Sequence, residues 1–458
     1  MILPGSTSLS IAAAALQVPE ISGADTAWLL MSTALVLLMT PALGYFYGGL
    51  VRSKNILNTL MMSFAALGIV GVTWALLGYS LAFSEGNALI GGLDHAFLRN
   101  VGLDAGAWGN FPHLLFVGFQ GTFAIITAAL ISGAVVERMR FGPYLAFIAL
   151  WSLFVYAPIA HWVWGGGWLH ALGALDFAGG TVVHINAGVA AVVAALVVGS
   201  RKDHGRQAML PHNVTYVLLG AGLLWFGWFG FNGGSGLGAN ETAALALFNT
   251  ILAPAATLVV WMLLDVSRSR KTTAVGAATG IVVGLVGITP AAGFVGPMGA
   301  LALGAIAAVP SYYAILLRSR SRLDDSLDVF AAHGTGGIVG ALLTGVFATA
   351  VWGGVDGAIA GNPGLVLTQA VGVLGGAAYS ALGTFIILKS IALFTPLRRS
   401  SREEGIGLDL VHHGEEGYAR GEGAVLIPAD TTRPAYAVAG RTGTPVPVAT
   451  FTTAGDRP

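Results

Sequence analysis

Asp176-Phe177-Ala178-Gly179-Gly180-Thr181-Val182-Val183-His184-Ile185-Asn186 opens an apolar run that continues to residue 199 with no charged side chain after the histidine. A run of about 20 such residues is long enough to cross the hydrocarbon core of a bilayer as a helix. An ionisable residue at that depth is costly and tends to mark a pathway or a site. The arrangement occurs twice. His333, in Phe330-Ala331-Ala332-His333-Gly334, also lies early in an apolar run. An aspartate stands eight positions before each histidine, Asp176 before His184 and Asp325 before His333.

Outward from these two runs the chain reads the same way. Of its 458 residues 55% are hydrophobic and only 10% charged, whereas soluble domains carry about 25% charged residues. So few charges cannot cover a water-facing surface, and most of the surface must face lipid. The net charge of zero gives no electrostatic footprint for nucleic acid. The absence of cysteine excludes disulfides, thiolate metal sites and cysteine nucleophiles. The 66 glycines, lying inside apolar runs, suit close approach of helix backbones.

Eleven spans are expected, approximately 26–49, 57–83, 111–136, 141–164, 180–199, 213–233, 242–264, 272–289, 293–317, 329–351 and 367–394. Thr289 and Pro290 mark a very short connection between the eighth and ninth. Basic residues follow the odd-numbered spans: Arg52 and Lys54, Arg138 and Arg140, Arg201, Lys202 and Arg206, then Arg268, Arg270 and Lys271, Arg318, Arg320 and Arg322, and finally Arg398 and Arg399. In the other connections Arg99 is the lone exception. By the positive-inside rule the odd connections are cytoplasmic, so the N-terminus is outside and the C-terminus inside. The expected fold is therefore an all-α polytopic membrane protein.

Four regions are expected. Residues 1–25 form an external segment. Leu9 to Leu16 could be the core of a cleaved signal peptide, but no basic residue precedes it as one normally does. Residues 26–395 form the membrane domain and 396–420 a charged cytoplasmic tail. Residues 421–458, rich in Gly, Thr, Pro and Ala, bury too little apolar surface to order themselves.

The two histidine runs are the fifth and tenth spans, matching places if the chain is two five-helix halves. A second echo supports the duplication: Gly44-Tyr45-Phe46-Tyr47-Gly48-Gly49 closes the first span and Trp228-Phe229-Gly230-Phe231-Asn232-Gly233-Gly234 the sixth. Five is odd, so spans 1–5 and 6–10 would be inverted repeats with an eleventh helix added. Inverted repeats place a substrate path at their interface near the midplane. Neutral imidazole has one donor and one acceptor nitrogen, so two adjacent rings can pass a proton or guide a lone pair. Metal binding is the competing use, but it lacks a third convergent ligand. Phe119, Phe123, Trp164 and Phe231 end or line the neighbouring spans, with Ser235 just beyond. Aromatic faces attract cations, although Trp is also enriched at every membrane interface.

Together these segments resemble the Amt/Mep/Rh ammonium transporter family, in its bacterial Amt branch. The residues that carry the resemblance include Phe46-Tyr47-Gly48-Gly49-Leu50-Val51-Arg52, Gln120-Gly121-Thr122-Phe123, and Ala160-His161-Trp162-Val163-Trp164-Gly165-Gly166-Gly167. They continue through Asp176 to Asn186, Gly227-Trp228-Phe229-Gly230-Phe231-Asn232 with Ser235, Thr289-Pro290-Ala291-Ala292-Gly293, and Asp328-Val329-Phe330 leading to His333. About residues 25–418 are covered.

The resemblance implies a multi-pass plasma (inner) membrane transporter of ammonium, ammonia and methylammonium, and neither an enzyme nor a cofactor-dependent protein. It implies an outer ammonium site of Trp164, Phe123 and Ser235 beside Asp176, a gate of Phe123 stacked on Phe231, and a pore lined by His184 and His333. It also implies net electrogenic transport and homotrimers with one pore per subunit. The segments Glu403-Glu404-Gly405-Ile406-Gly407-Leu408-Asp409 and His412-His413-Gly414-Glu415 look like the Amt tail, which contacts the neighbouring subunit and a PII-type signal protein. Two alternatives stay open. An Rh-like electroneutral ammonia or carbon dioxide channel would be expected to lack the outer Trp and Ser. An ammonium sensor would be expected to append a signalling domain.

Overall fold

The computed structural model describes residues 20–418. The expectations for residues 1–19 and 421–458 lie outside the described residues. Among the described residues the structure is helical, with isolated β-bridges only. Ten helices are long and apolar enough to span a bilayer: α1 Gly23–Leu50, α2 Ser53–Phe83, α3 His113–Val135, α4 Phe141–Leu172, which turns at Trp164, α5 Gly180–Val198, α6 Val214–Gly234, α7 Glu241–Ser269, α9 Pro297–Ser319, α10 Phe330–Phe347 and α11 Gly364–Phe394. Between α7 and α9 lies α8, Ala274–Ile288, also apolar but shorter. Each expected span falls on one of these segments. The connection from α8 to α9 occupies residues 289–296, longer than expected, because Thr289 to Val295 coil tightly and, Phe294 apart, are buried.

Helices α1 and α6 pack antiparallel along their whole length, and glycine makes this possible. A Cβ at Gly49, near the end of α1, would lie 2.5 Å from the carbonyl oxygen of Asn213, just before α6. At the other end a Cβ at Gly234 would meet Ser32, while Gly220, Gly227 and Gly230 have no room for a side chain against Phe46, Met39 and Leu35. Small residues allow this approach where lipid supplies no hydrophobic drive.

The α5–α10 crossing uses the same device, with matched positions. A Cβ at Gly188, four residues after His184, would lie 2.4 Å from the backbone of Gly334. One at Gly337, four residues after His333, would lie 3.0 Å from the carbonyl oxygen of Gly180 and 3.1 Å from Cβ of His184. The histidines are thus carried to one point by two backbones in contact.

The ends bearing the basic connections form one face of the bundle, held by buried ion pairs. Arg201 donates to Glu137 at 2.8 Å and to Asp324 at 2.7 Å, with both carboxylates fully buried. Arg138, also fully buried, donates to the carbonyls of Gly199 and Asp324 and to the Ser326 hydroxyl, each at 2.6 Å. It thereby ties the end of α5 to the approach of α10. Two of the arginines counted as orientation signals are therefore also structural.

Beyond α11 the chain folds back onto this face as two short helices, α12 Ser401–Ile406 and α13 Leu408–His413. Ser400 and Glu403 form a capping box at the start of α12. Lys54 donates to the carbonyls of Glu404 and Gly405, and Lys202 N–H donates to the Glu404 carboxylate. Asp409 accepts the Asn58 N–H at 2.8 Å and Asn55 accepts the Leu408 N–H at 2.8 Å. The tail thus docks on its own chain, its aspartate completing the open N-terminus of the neighbouring helix.

Candidate functional site

Each histidine sits on a helix whose first turn is capped by the aspartate eight residues earlier. Asp176 accepts four backbone N–H groups, from Gly179 and Gly180 on one oxygen and Thr181 and Val182 on the other, at 2.6–3.1 Å. Asp325 does the same for α10, accepting from Val329 and Phe330. Both helices then open with a π turn, Gly180–Ile185 and Phe330–Thr335. Such wide turns are rare and are often found at functional sites. Each of these two turns contains the histidine.

His184 and His333 meet with Nδ1 atoms 3.3 Å apart and ring centroids 5.3 Å apart. One Nδ1 donates and the other accepts. His184 is stacked between His333 and Trp228, whose ring centroid lies 5.4 Å away. Trp228 is held by its indole N–H to the Thr289 hydroxyl at 2.9 Å, at the end of α8. The Nε2 of His184 is buried and has no hydrogen-bond partner among the described residues.

Above this pair Phe231 and Phe123 stack at 4.2 Å, 23° from parallel. Phe123 is in turn edge-on to Trp164 at 6.1 Å and to Phe119 at 4.9 Å. Trp164 donates its indole N–H to the backbone carbonyl of Asp176 at 2.9 Å, and Ser235 donates to the carbonyl of Phe231 at 2.8 Å. Ser235 keeps its lone pairs free. Asp176 contributes its carbonyl to Trp164, while its carboxylate is spent on the helix start.

Three cavities follow one another through the bundle. The first, about 200 Å³, is bordered by Phe123, Trp164 and Ser235. The second is only about 10 Å³, lined by Val183, His184, Trp228, Phe231 and His333 among aliphatic side chains. That is about the room of one water. The third, about 190 Å³, opens between His333 and the Arg318–Asp328 ion pair near the basic face. The phenylalanine pair separates the first from the second, and His333 borders both the second and the third.

The structure places Phe123, Trp164, Ser235, Phe231, His184 and His333 along this line, whereas Asp176 borders none of the three cavities and reaches the first only through the carbonyl it offers Trp164. Among the described residues no group of three metal-ligating side chains forms. Sequence reading missed Trp228 as the wall behind His184, and Trp108 and His170, which border the first cavity. It also missed the contacts of Gly188 with Gly334 and of Gly337 with Gly180, although the spacing of a glycine four after each histidine was there to find.

The profile of the Ammonium Transporter Family matches residues 27–418. The chain belongs to this family. It is similar to the ammonium transporter of Bacillus subtilis, 48% identical over 398 residues covering 86% of this chain and 98% of that one. The ammonium transporter of Aquifex aeolicus is 50% identical over 403 residues, covering 86% and 93%. Among solved structures, Saccharomyces cerevisiae Mep2 superposes with a TM-score of 0.81 at 37% identity, covering 89% of this chain and 94% of Mep2. The chain is accordingly a multi-pass membrane protein and an ammonium transporter, in a family of transporters rather than enzymes.

Proposed function

We propose that this ammonium transporter recruits ammonium at the Trp164 mouth, strips its proton at the Phe123–Phe231 gate, and passes ammonia beside His184 and His333. The observation that carries this reading is the series of cavities, roomy, then dry and one molecule wide, then roomy again. An ammonium ion entering the dry segment would lose hydration worth tens of kcal/mol in the idealised limit. Cation–π contacts return about 2 kcal/mol when desolvated, enough to recruit the ion and too little to carry it through. Neutral ammonia avoids most of that cost.

In the mouth, the faces of Trp164 and Phe123 and the oxygen lone pairs of Ser235 hold the ion. Asp176 positions Trp164 and the start of α5. Inside, the free Nε2 of His184 offers a hydrogen bond to the passing lone pair or N–H. The proton left by the ion passes to Nε2 of His184, whose Nδ1 hydrogen moves to Nδ1 of His333 while His333 Nε2 gives up its own proton toward the third cavity, so net transport is electrogenic. The Trp164 mouth faces outward and the basic face the cytoplasm, in the plasma membrane. The assembly is a homotrimer with one pore per subunit, and the tail receives a PII-type signal protein.

The test is charge movement in proteoliposomes after a rapid ammonium jump, with a potassium jump as control. A sustained ammonium-specific current is expected. Fast internal alkalinisation without current would overturn the proton relay and make the protein an ammonia channel.

A further inference from the structure

The first cavity is larger and more aromatic than ammonium needs. Six rings border its space of about 200 Å³: Phe83, Trp108, Phe116, Phe123, Trp164 and Phe177. Three of them, Trp108, Trp164 and Phe177, are partly exposed. No carboxylate borders it, and its polar lining is Gln120, His170 and Ser235. Trp108 has no part in the ammonium path above, yet it is firmly braced. It lies parallel on Phe116 at 4.9 Å and 9°, with Phe83 edge-on to it at 5.2 Å and 81°.

We propose that this cavity is a cage for small quaternary ammonium ions, and that an ion held there blocks transport from the outside. The proposal rests on the reading that ammonium enters at this mouth. Aromatic cages are the recurrent answer to quaternary ammonium recognition. Such an ion spreads its charge over methyl groups, so it needs ring faces rather than hydrogen-bond acceptors. It loses little by leaving water for a wall with three polar side chains. Ammonium, by contrast, can leave the site by losing a proton and passing the gate as a neutral molecule. A quaternary nitrogen has no proton to lose. It also cannot fit a lumen of about 10 Å³. Capture without passage is inhibition.

The experiment uses the full chain in proteoliposomes, with ammonium current measured against external tetramethylammonium at constant ionic strength. Expected is competitive inhibition: the half-saturating ammonium concentration rises in proportion to the blocker while the maximal current holds. Tetramethylammonium alone gives no current. Trp108→Leu should raise the inhibition constant about tenfold, the worth of one aromatic face, and by more than it raises the half-saturating ammonium concentration. Trp108→Phe should retain most of the block. Undiminished current at tetramethylammonium well above the ammonium half-saturation would overturn the cage. So would a non-competitive block, or a block equal in Trp108→Leu. If ammonium itself drives no flux, the transport reading fails. The cage is then judged by calorimetric titration of the purified protein with tetramethylammonium, where it requires binding that Trp108→Leu weakens.

Discussion

His184 and His333 face each other through Nδ1 atoms 3.3 Å apart, their rings 23° from parallel. This contact needs one hydrogen between the two nitrogens, so the two rings share a proton position and change tautomer together. A solute meeting the free Nε2 of His184 is coupled through that contact to His333, which borders the inner cavity.

From this coupling follows the first prediction. The double substitution of His184→Ala and His333→Ala should leave the protein folded, since neither ring closes a backbone contact, and should remove the ammonium current. Proteoliposome current and size-exclusion behaviour decide it together. A folded double variant with full current would end the relay assignment.

Trp164 does two things at once, offering a ring face to the mouth and an N–H to the Asp176 carbonyl. Trp164→Ala should raise the half-saturating ammonium concentration by about tenfold, a loss within the cation–π range. Trp164→Phe keeps a ring and loses only the anchor, so it should fall between. Concentration dependence of current checks both. An unchanged Ala variant would return Trp164 to the interfacial aromatics.

The glycine contacts at the α5–α10 crossing grade two further variants. At Gly188 an added methyl meets rigid backbone at 2.4 Å, whereas at Gly337 the tightest contacts are 3.0 and 3.1 Å. Overpacking costs about 1–3 kcal/mol, so Gly188→Ala should lower the melting temperature in detergent more than Gly337→Ala. The reverse order would contradict the packing described here.

How much of this was legible in the sequence follows from what repeats locally. The apolar runs, the aspartate eight before each histidine and the basic connections are all local patterns; the first fall on helices, the aspartates cap helix starts, and basic residues such as Arg201 lie in the connections between helices. The aromatic line was legible only by resemblance, because a Trp at a helix end reads equally well as an interface anchor. The ion network was not legible at all. Arg201 and Asp324 stand 123 residues apart, and nothing in either neighbourhood announces the other. Arg138 and Arg201 carry the charge of the positive-inside pattern, yet they spend it inside the protein.

That network makes its own prediction. Burial alone would raise the Asp324 carboxyl, but the Arg201 hydrogen bonds and the charges of Arg138 and Arg201 hold it well below the usual range. A carboxyl lowered in the fold contributes stability above its unfolded value and loses it as the pH falls through the folded one. Arg201→Ala would leave Glu137 and Asp324 buried without their shared partner, at a cost of about 3–5 kcal/mol. Arg201→Lys, lacking the planar fork, should lie between. Thermal unfolding in detergent at neutral pH measures both, and an Ala variant as stable as the parent would show the network to be dispensable.

The tail carries opposed titrations, and single substitutions should separate them. Burial pushes Asp409 up to about 6, against the helix N–H groups it accepts. Burial, then the charge of Arg399, pushes His412 down to about 4, and burial lowers His413 as well. Arg399 donates to His412 Nε2 at 2.8 Å, so His412 Nδ1 is the atom that donates to Asn58, and a second ring proton would face the guanidinium. A raised carboxyl favours docking when protonated, so Asp409 strengthens docking as the pH falls through about 6. A lowered histidine favours docking when neutral, so His412 weakens docking as the pH falls from its free value of 6.5 toward about 4. In the parent chain the aspartate offsets part of the histidine effect. Asp409→Asn should therefore release the tail more steeply on acidification, and His412→Gln should make docking less sensitive to acid. Protease protection or hydrogen exchange of residues 400–418 between pH 7 and about 4.5 reads the difference. Identical pH profiles for the parent and both variants would mean that these side chains do not govern docking.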